Sequence, residues 1–148
     1  ATRTNTASGF KLPDLDLPII LIRHRIANTI GAPVAHLERT AVFHYETGQT
    51  FADHADYIST AFSSEIRQYG QRPFTFIVYL NDTFDGGETH FLSIDKKFRG
   101  GVGDAVFWSN VDENGAPDEA TRHAGLPPTS GEKWLLSQFI RDKPQLPG

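Results

Sequence analysis

The chain contains no cysteine among its 148 residues. That excludes a disulfide frame and any thiolate metal site, and it fits a reducing compartment, so the expected location is cytoplasmic. Methionine is absent too, and the sequence starts at Ala1, so an N-terminally truncated piece of a longer product is expected. No apolar run approaches the roughly 18 residues of a membrane-spanning helix, and no secretory leader pattern is present. A membrane partner is therefore not expected. Positive charge is also in short supply. Fourteen Lys and Arg against 18 Asp and Glu give a net charge of −4, so bulk electrostatics do not favour nucleic acid. With no repeat, low-complexity block or linker, residues 1–148 read as one domain. The sequence carries no signal of oligomeric state.

What is present is patterned. Leu15, Ile19, Ile22, Ile26 and Ile30 recur at spacings of three and four, one face of an amphipathic helix, with Asp16 as its start and Gly31 as its stop. Such a helix is expected to buttress a sheet. From about residue 38 the pattern turns to β. Short runs at 39–45, 74–80, 105–108 and 134–140 are rich in Val, Ile, Phe, Tyr, Thr and Trp. The run at 74–80 has little polar relief, so both its faces are expected to be buried. Turn signals at Asn81-Asp82, Asp85-Gly86-Gly87, Arg99-Gly100-Gly101 and Asn114-Gly115 separate the strands. Short strands with frequent turns predict a mainly β sandwich or jelly roll, not alternating βαβ units. Residues 1–9 read as a loop or flexible arm, and 57–72 and 110–122 as mobile loops.

Three residues carry the chemistry. His54-Ala55-Asp56 gives an H-x-D step, and on a regular strand both side chains would share a face. His123 is the distant third candidate, and Lys133 follows it by ten residues. Two imidazoles and one carboxylate form the facial ligand set of non-haem Fe(II) oxygenases, which leaves positions open for co-substrate and O2. A lysine close to the third ligand suits the far carboxylate of an anionic co-substrate. An H-x-D alone also arises by chance, whereas a structural zinc site would normally need four protein ligands.

The surrounding segments raise the specificity. Tyr45, Gly48-Gln49, Phe51 and His54-Ala55-Asp56 run in order; so do Tyr79-Leu80-Asn81 and Gly86-Gly87-Glu88-Thr89. Gly103-Asp104-Ala105-Val106-Phe107-Trp108 follows, then His123-Ala124-Gly125-Leu126-Pro127 and Gly131-Glu132-Lys133-Trp134. Across about residues 3 to 142 the chain resembles the prolyl 4-hydroxylase branch of the Fe(II)/2-oxoglutarate dioxygenases. The resemblance implies a double-stranded β-helix (jelly-roll) core with a buttressing helix. It also implies Fe(II), 2-oxoglutarate and O2, with ascorbate as an accessory reductant. It assigns His54, Asp56 and His123 to the metal, and Lys133, Tyr45 and Thr89 to 2-oxoglutarate. Arg72 corresponds to an arginine near the peptide substrate. Arg3 matches an arginine-containing entry loop, where Asn5 replaces the family's serine, and Phe139 stands where relatives often carry Trp. The implied reaction is hydroxylation of a prolyl residue in a peptide or protein, coupled to oxidative decarboxylation of 2-oxoglutarate to succinate and CO2. A hydroxylase of a free amino acid or other small molecule and a non-catalytic metal-binding jelly roll are the alternatives. A nucleic-acid demethylase is disfavoured by Lys133, since those enzymes usually bind the co-substrate with arginine.

Overall fold

The computed structural model describes residues 2–11 and 15–145. Among the described residues one long helix follows the first of eleven short strands, which are wound into facing sheets. The larger sheet has the order β1 (Thr6–Gly9), β2 (Ala41–Tyr45), β11 (Lys133–Ile140), β4 (Phe74–Tyr79) and β8 (Ala105–Ser109). The smaller has the order β3 (Phe51–His54), β9 (His123–Gly125), β6 (Thr89–Phe91) and β7 (Lys96–Phe98), while β5 (Phe84–Gly86) pairs with β10 (Pro128–Gly131). All these pairings are antiparallel. The last strand lies between β2 and β4, and β9 lies between β3 and β6. These crossovers between distant strands are those of a jelly roll.

The helix α1 (Leu17–Ile30) starts where the sequence suggests. Asp16 accepts a hydrogen bond from the Ile19 N–H at 3.2 Å, and Gly31 at φ 68 closes the end with its N–H on the Ala27 carbonyl. Its inward face, centred on Ile26 and Ala27, packs with Leu37, Phe76, Leu136 and Ile140. A second cluster lies between the sheets and includes Tyr45, Ile77, Tyr79, Phe84, Phe91, Trp108 and Leu135. Strand β4 serves both clusters by its two-residue period. Phe74, Phe76 and Val78 face the helix, while Ile77 and Tyr79 face the second sheet. This is the double burial expected for that run.

Three stretches differ from expectation. Thr6–Gly9 is a strand, in register with β2 from Thr6↔His44 to Gly9↔Ala41, and Arg3 bridges to Phe51. All four β1 residues are exposed, so no hydrophobic alternation marks the strand. Only backbone pairing holds it. The 57–72 stretch forms a 3-10 turn at Thr60–Phe62 and a helix α2 at Ser63–Tyr69. The 110–122 stretch is shaped by Asp112, whose carboxylate accepts from the Asn114 and Ala116 amides, and by a 3-10 turn at Glu119–Thr121. Side-chain caps by Ser59, Asp112 and Asp118, which hydrophobic periodicity does not register, shape the two 3-10 turns and the Asp112 loop.

Candidate active site

The site is assembled where the two sheets face each other. His54 ends β3 and His123 opens β9, and the two are register partners. Asp56 lies beyond the strand, in a bend, so the two-residue strand period does not bring it to the histidines. Its position is set by Thr75 of β4, whose hydroxyl donates to Asp56 Oδ2 at 2.7 Å. Ligand atoms of His54, Asp56 and His123 all lie within 4.8 Å of one another. Asp56 Oδ1 is 3.5 Å from His54 Nε2, and Oδ2 is 3.6 Å from His123 Nε2.

Both rings are turned by backbone carbonyls. His54 Nδ1 lies 2.8 Å from the Ala52 oxygen and His123 Nδ1 2.9 Å from the Thr121 oxygen. A carbonyl only accepts, so each Nδ1 carries the proton and each Nε2 faces the carboxylate. Two ring nitrogens and a carboxylate converging in this way require a cation between them, a proton or a metal ion. Burial pushes the His123 imidazole below its usual pKa despite the opposing charge of Asp56, which favours the neutral ligand form. Burial also works to raise the Asp56 carboxyl. Pairing with His54, the charges of His123 and His54, and the Thr75 hydroxyl outweigh it and hold the group below the usual carboxylate value. Phe51 stacks on the His54 ring at 3.7 Å, and Trp108 meets the His123 ring edge-on at 4.9 Å. The donor set fits a divalent metal.

Deeper in the same cavity lie Lys133 and Tyr45, cross-strand partners of β11 and β2. Lys133 is fully buried. Its Nζ donates to the Gly87 carbonyl at 2.8 Å and sits 3.9 Å above the Tyr45 ring. Among the described residues no carboxylate pairs with it. Burial accordingly pushes the ammonium down to about 7, with distant Glu88 opposing. A buried cation without an anion fits one carboxylate of a dicarboxylate ligand. The Tyr45 hydroxyl makes no hydrogen bond among the described residues, and burial raises its pKa, so it is a donor. Gly125 makes room for it, because a Cβ there would lie 2.9 Å from the phenol oxygen. Thr89 of β6 is buried in the same wall, its hydroxyl 3.4 Å from that of Tyr79.

Six of the seven sequence-derived positions therefore share one cavity. Arg72 stands elsewhere. Its Nε and Nη2 lie 2.5 and 2.8 Å from the two oxygens of Glu38, and its guanidinium stacks 4.1 Å from the centre of Phe139. It borders an open cleft of about 510 Å3 that also reaches Asp56, Tyr57, Phe62 and Glu65. Arg3 lies over Phe43 and Phe51, about 5.5 Å from each ring. No spacing in the sequence points to Thr75, which donates to Asp56, or to Asn110, which donates to Thr75. The available signal was Thr75 itself, a hydroxyl in the apolar run Phe74-Thr75-Phe76-Ile77-Val78.

The sequence model described as the 2OG-Fe(II) oxygenase superfamily matches residues 40–141. The chain belongs to that superfamily. Membership brings Fe(II), 2-oxoglutarate and O2 as its cofactors, in keeping with the buried cation and the convergent ligands. The chain is 32% identical over 126 residues to a putative prolyl 4-hydroxylase of Acanthamoeba polyphaga mimivirus, covering 82% of this chain and 52% of that protein. Prolyl 4-hydroxylase 1 of Arabidopsis thaliana is likewise 32% identical, over 154 residues, with 93% and 54% covered. The chain thus spans about half the length of these curated relatives. Among solved structures, the 2-oxoglutarate complex of a viral collagen prolyl hydroxylase from Paramecium Bursaria Chlorella virus-1 superposes with a TM-score of 0.74 at 25% identity. That match covers 94% of this chain and 79% of the other. Among the described residues, no helix is long and apolar enough to cross a membrane.

Proposed function

We propose that the chain hydroxylates prolyl residues in a peptide or protein while 2-oxoglutarate is oxidatively decarboxylated to succinate and CO2. The observation that carries this reading is the pairing of a sealed cation with an open cleft. Lys133 lies in the enclosed end of the cavity, while the opposite side of Asp56 opens onto the cleft bordered by Tyr57, Phe62 and Arg72. Co-substrate and substrate then lie on different sides of the same metal set. Resemblance to prolyl hydroxylases supports proline as the target.

In this reading His54, Asp56 and His123 hold the metal, with both rings oriented from behind by carbonyls. Lys133 neutralises the far carboxylate of 2-oxoglutarate, and the Tyr45 hydroxyl donates a hydrogen bond to it. Thr89 lines that pocket, and Arg72 borders the substrate side. When bound, Fe(II) and 2-oxoglutarate supply the activation of O2 and the oxidising equivalents for hydroxylation. The aromatic walls of Phe51 and Trp108 keep bulk water from the ligands. A cytoplasmic setting fits a chain without cysteine, and a single catalytic domain fits the length of 148 residues.

An open cleft bordered by exposed Phe62 and half-buried Tyr57 suits an extended peptide better than a free amino acid. The deciding measurement is mass spectrometry of proline-containing peptides incubated with protein, Fe(II), ascorbate and 2-oxoglutarate. A gain of one oxygen on proline, absent without 2-oxoglutarate, is expected. Oxygen gained by a free amino acid but by none of the peptides would move the chain to the small-molecule class.

A further inference from the structure

We infer that Asn110 and Thr75 form a one-way hydrogen-bond relay that positions Asp56 for the metal. Asn110 follows β8 and Thr75 lies on the adjacent β4; both are buried, at 0% and 1% exposure. The Asn110 Nδ2 lies 3.2 Å from the Arg72 carbonyl oxygen and 2.9 Å from Thr75 Oγ1. Thr75 Oγ1 lies 2.7 Å from Asp56 Oδ2.

The direction of each bond follows from what each group can do. The Arg72 carbonyl can only accept, so the Asn110 atom beside it is the NH2 group. That NH2 group can only donate, so Thr75 Oγ1 accepts from it. The single hydroxyl proton of Thr75 is then committed to Asp56. With the amide reversed, the hydroxyl proton would be drawn to the Asn110 oxygen, and Asp56 would lose its donor. Asn110 fulfils this role with its own carbonyl oxygen buried and unpartnered. A buried acceptor left without a donor is costly, so the site tolerates a local loss in keeping the NH2 group where it is.

The consequence lies at the carboxylate. The backbone at Asp56 is a bend outside the ladder, so neither β3 nor β9 orients its side chain. The relay ties down Oδ2 and turns Oδ1 toward His54 Nε2. Thr75 and Asn110 are positioning residues; they do not touch the metal. The inference rests on His54, Asp56 and His123 being the metal set, and it is independent of which substrate is hydroxylated.

The test uses Mn(II) titration calorimetry and the visible spectrum of the Co(II) form, neither of which requires turnover. Thr75→Val keeps the β-branched shape and removes the hydroxyl. It is expected to weaken Mn(II) binding about 10- to 100-fold, the usual range for losing a partner behind a metal ligand, and to shift the Co(II) bands. Thr75→Ser restores the hydroxyl and should recover most of the affinity. Asn110→Ala frees the Thr75 hydroxyl to rotate and should give a smaller loss, in the same direction. It keeps the question answerable if Thr75→Val does not fold. Wild-type affinity and spectrum in Thr75→Val and Asn110→Ala would overturn the relay. So would a Thr75→Ser protein as impaired as Thr75→Val. His123→Ala is the control, since Mn(II) binding unaffected by it would overturn the metal set itself.

Discussion

At the scale of single residues, Lys133 makes the sharpest statement. A fully buried ammonium with only a carbonyl and an aromatic face for company is depressed by burial to about 7. The unfolded value is roughly 10.4. Between those two values the unfolded chain holds more protons than the folded one, so stability contributed by this group rises with pH across that window. Below about 7 both states are protonated and the burial penalty is felt in full. A bound carboxylate reverses the balance, because it requires the protonated amine. Binding of 2-oxoglutarate to the Mn(II) form at pH 8.5 should therefore take up about one proton, and at pH 6 almost none. Calorimetry in buffers of different ionisation enthalpy reads this directly. Lys133→Ala should lose the uptake and weaken binding by about 2–5 kcal/mol, the scale for removing one member of a buried charged pair. A proton count that is the same at both pH values would detach Lys133 from the co-substrate. Most candidate site residues were legible because chemistry dictates residue type: the proposed metal set is His54, Asp56 and His123, and the proposed partner of an anion is Lys133. Thr75 and Asn110 were not, because their roles depend on burial and direction, which no spacing encodes.

Elements were legible where periodicity and caps agree. The helix α1 has both, with a three-and-four spacing between Asp16 and Gly31, and β4 has an unbroken β-forming run. The helix α2 has neither. Its seven residues are too few for independent stability, and none is buried. Its support comes from a segment far off in sequence. Lys143 Nζ donates to the Arg67 carbonyl at 2.8 Å, Gln145 Nε2 to the Tyr69 carbonyl at 2.9 Å, and Arg141 Nη1 to the Gly70 carbonyl at 2.6 Å. Three last-turn oxygens are thus capped from outside, two of them by cations at the negative end of the helix dipole. Lys143 and Gln145 lie beyond the residues matched by the superfamily model. Glu65 of α2 and nearby Phe62 border the cleft, so this segment supports one wall of it. The double variant Lys143→Ala/Gln145→Ala is expected to speed amide exchange at 63–70 several-fold, from about 1 kcal/mol of lost local stability. Exchange in α1 and β11 should not change. Uniform acceleration across the chain would mean that the contacts serve global stability instead.

On the scale of the whole molecule, one ionic network joins the layers. The carboxylate of Glu38, which precedes β2, accepts hydrogen bonds from both Arg72 and Arg141. Arg141 is 4% exposed and extends to Glu65 on α2 at 2.8 Å. From α1, Arg23 donates to the Glu38 carbonyl at 2.7 Å and to Thr40 at 2.9 Å. The helical layer, the large sheet and the wall of the cleft thus meet at one residue. The jelly roll could be anticipated from turn spacing and short strands, but this junction could not, since its members are scattered from Arg23 to Arg141 and look like ordinary surface charges. It also bears on Arg72. An arginine held by two carboxylate oxygens and stacked on Phe139 has little guanidinium left to offer a peptide, so removing it should perturb stability as well as substrate binding. Glu38→Gln isolates the structural part. It keeps the shape while leaving two close guanidinium groups without their shared anion. The loss from breaking such a buried pair is about 3–5 kcal/mol. For a chain of this length that corresponds to roughly 6–20 °C in Tm, at about 2–4 °C per kcal/mol. Mn(II) affinity of the folded fraction should stay at the wild-type value, because Glu38 contacts no ligand of the metal set. Thermal and urea unfolding, followed by Mn(II) titration below the transition, measure both quantities. An unchanged Tm would reduce the network to a set of separate surface pairs, whereas a lost metal site at unchanged Tm would make Glu38 part of the catalytic apparatus.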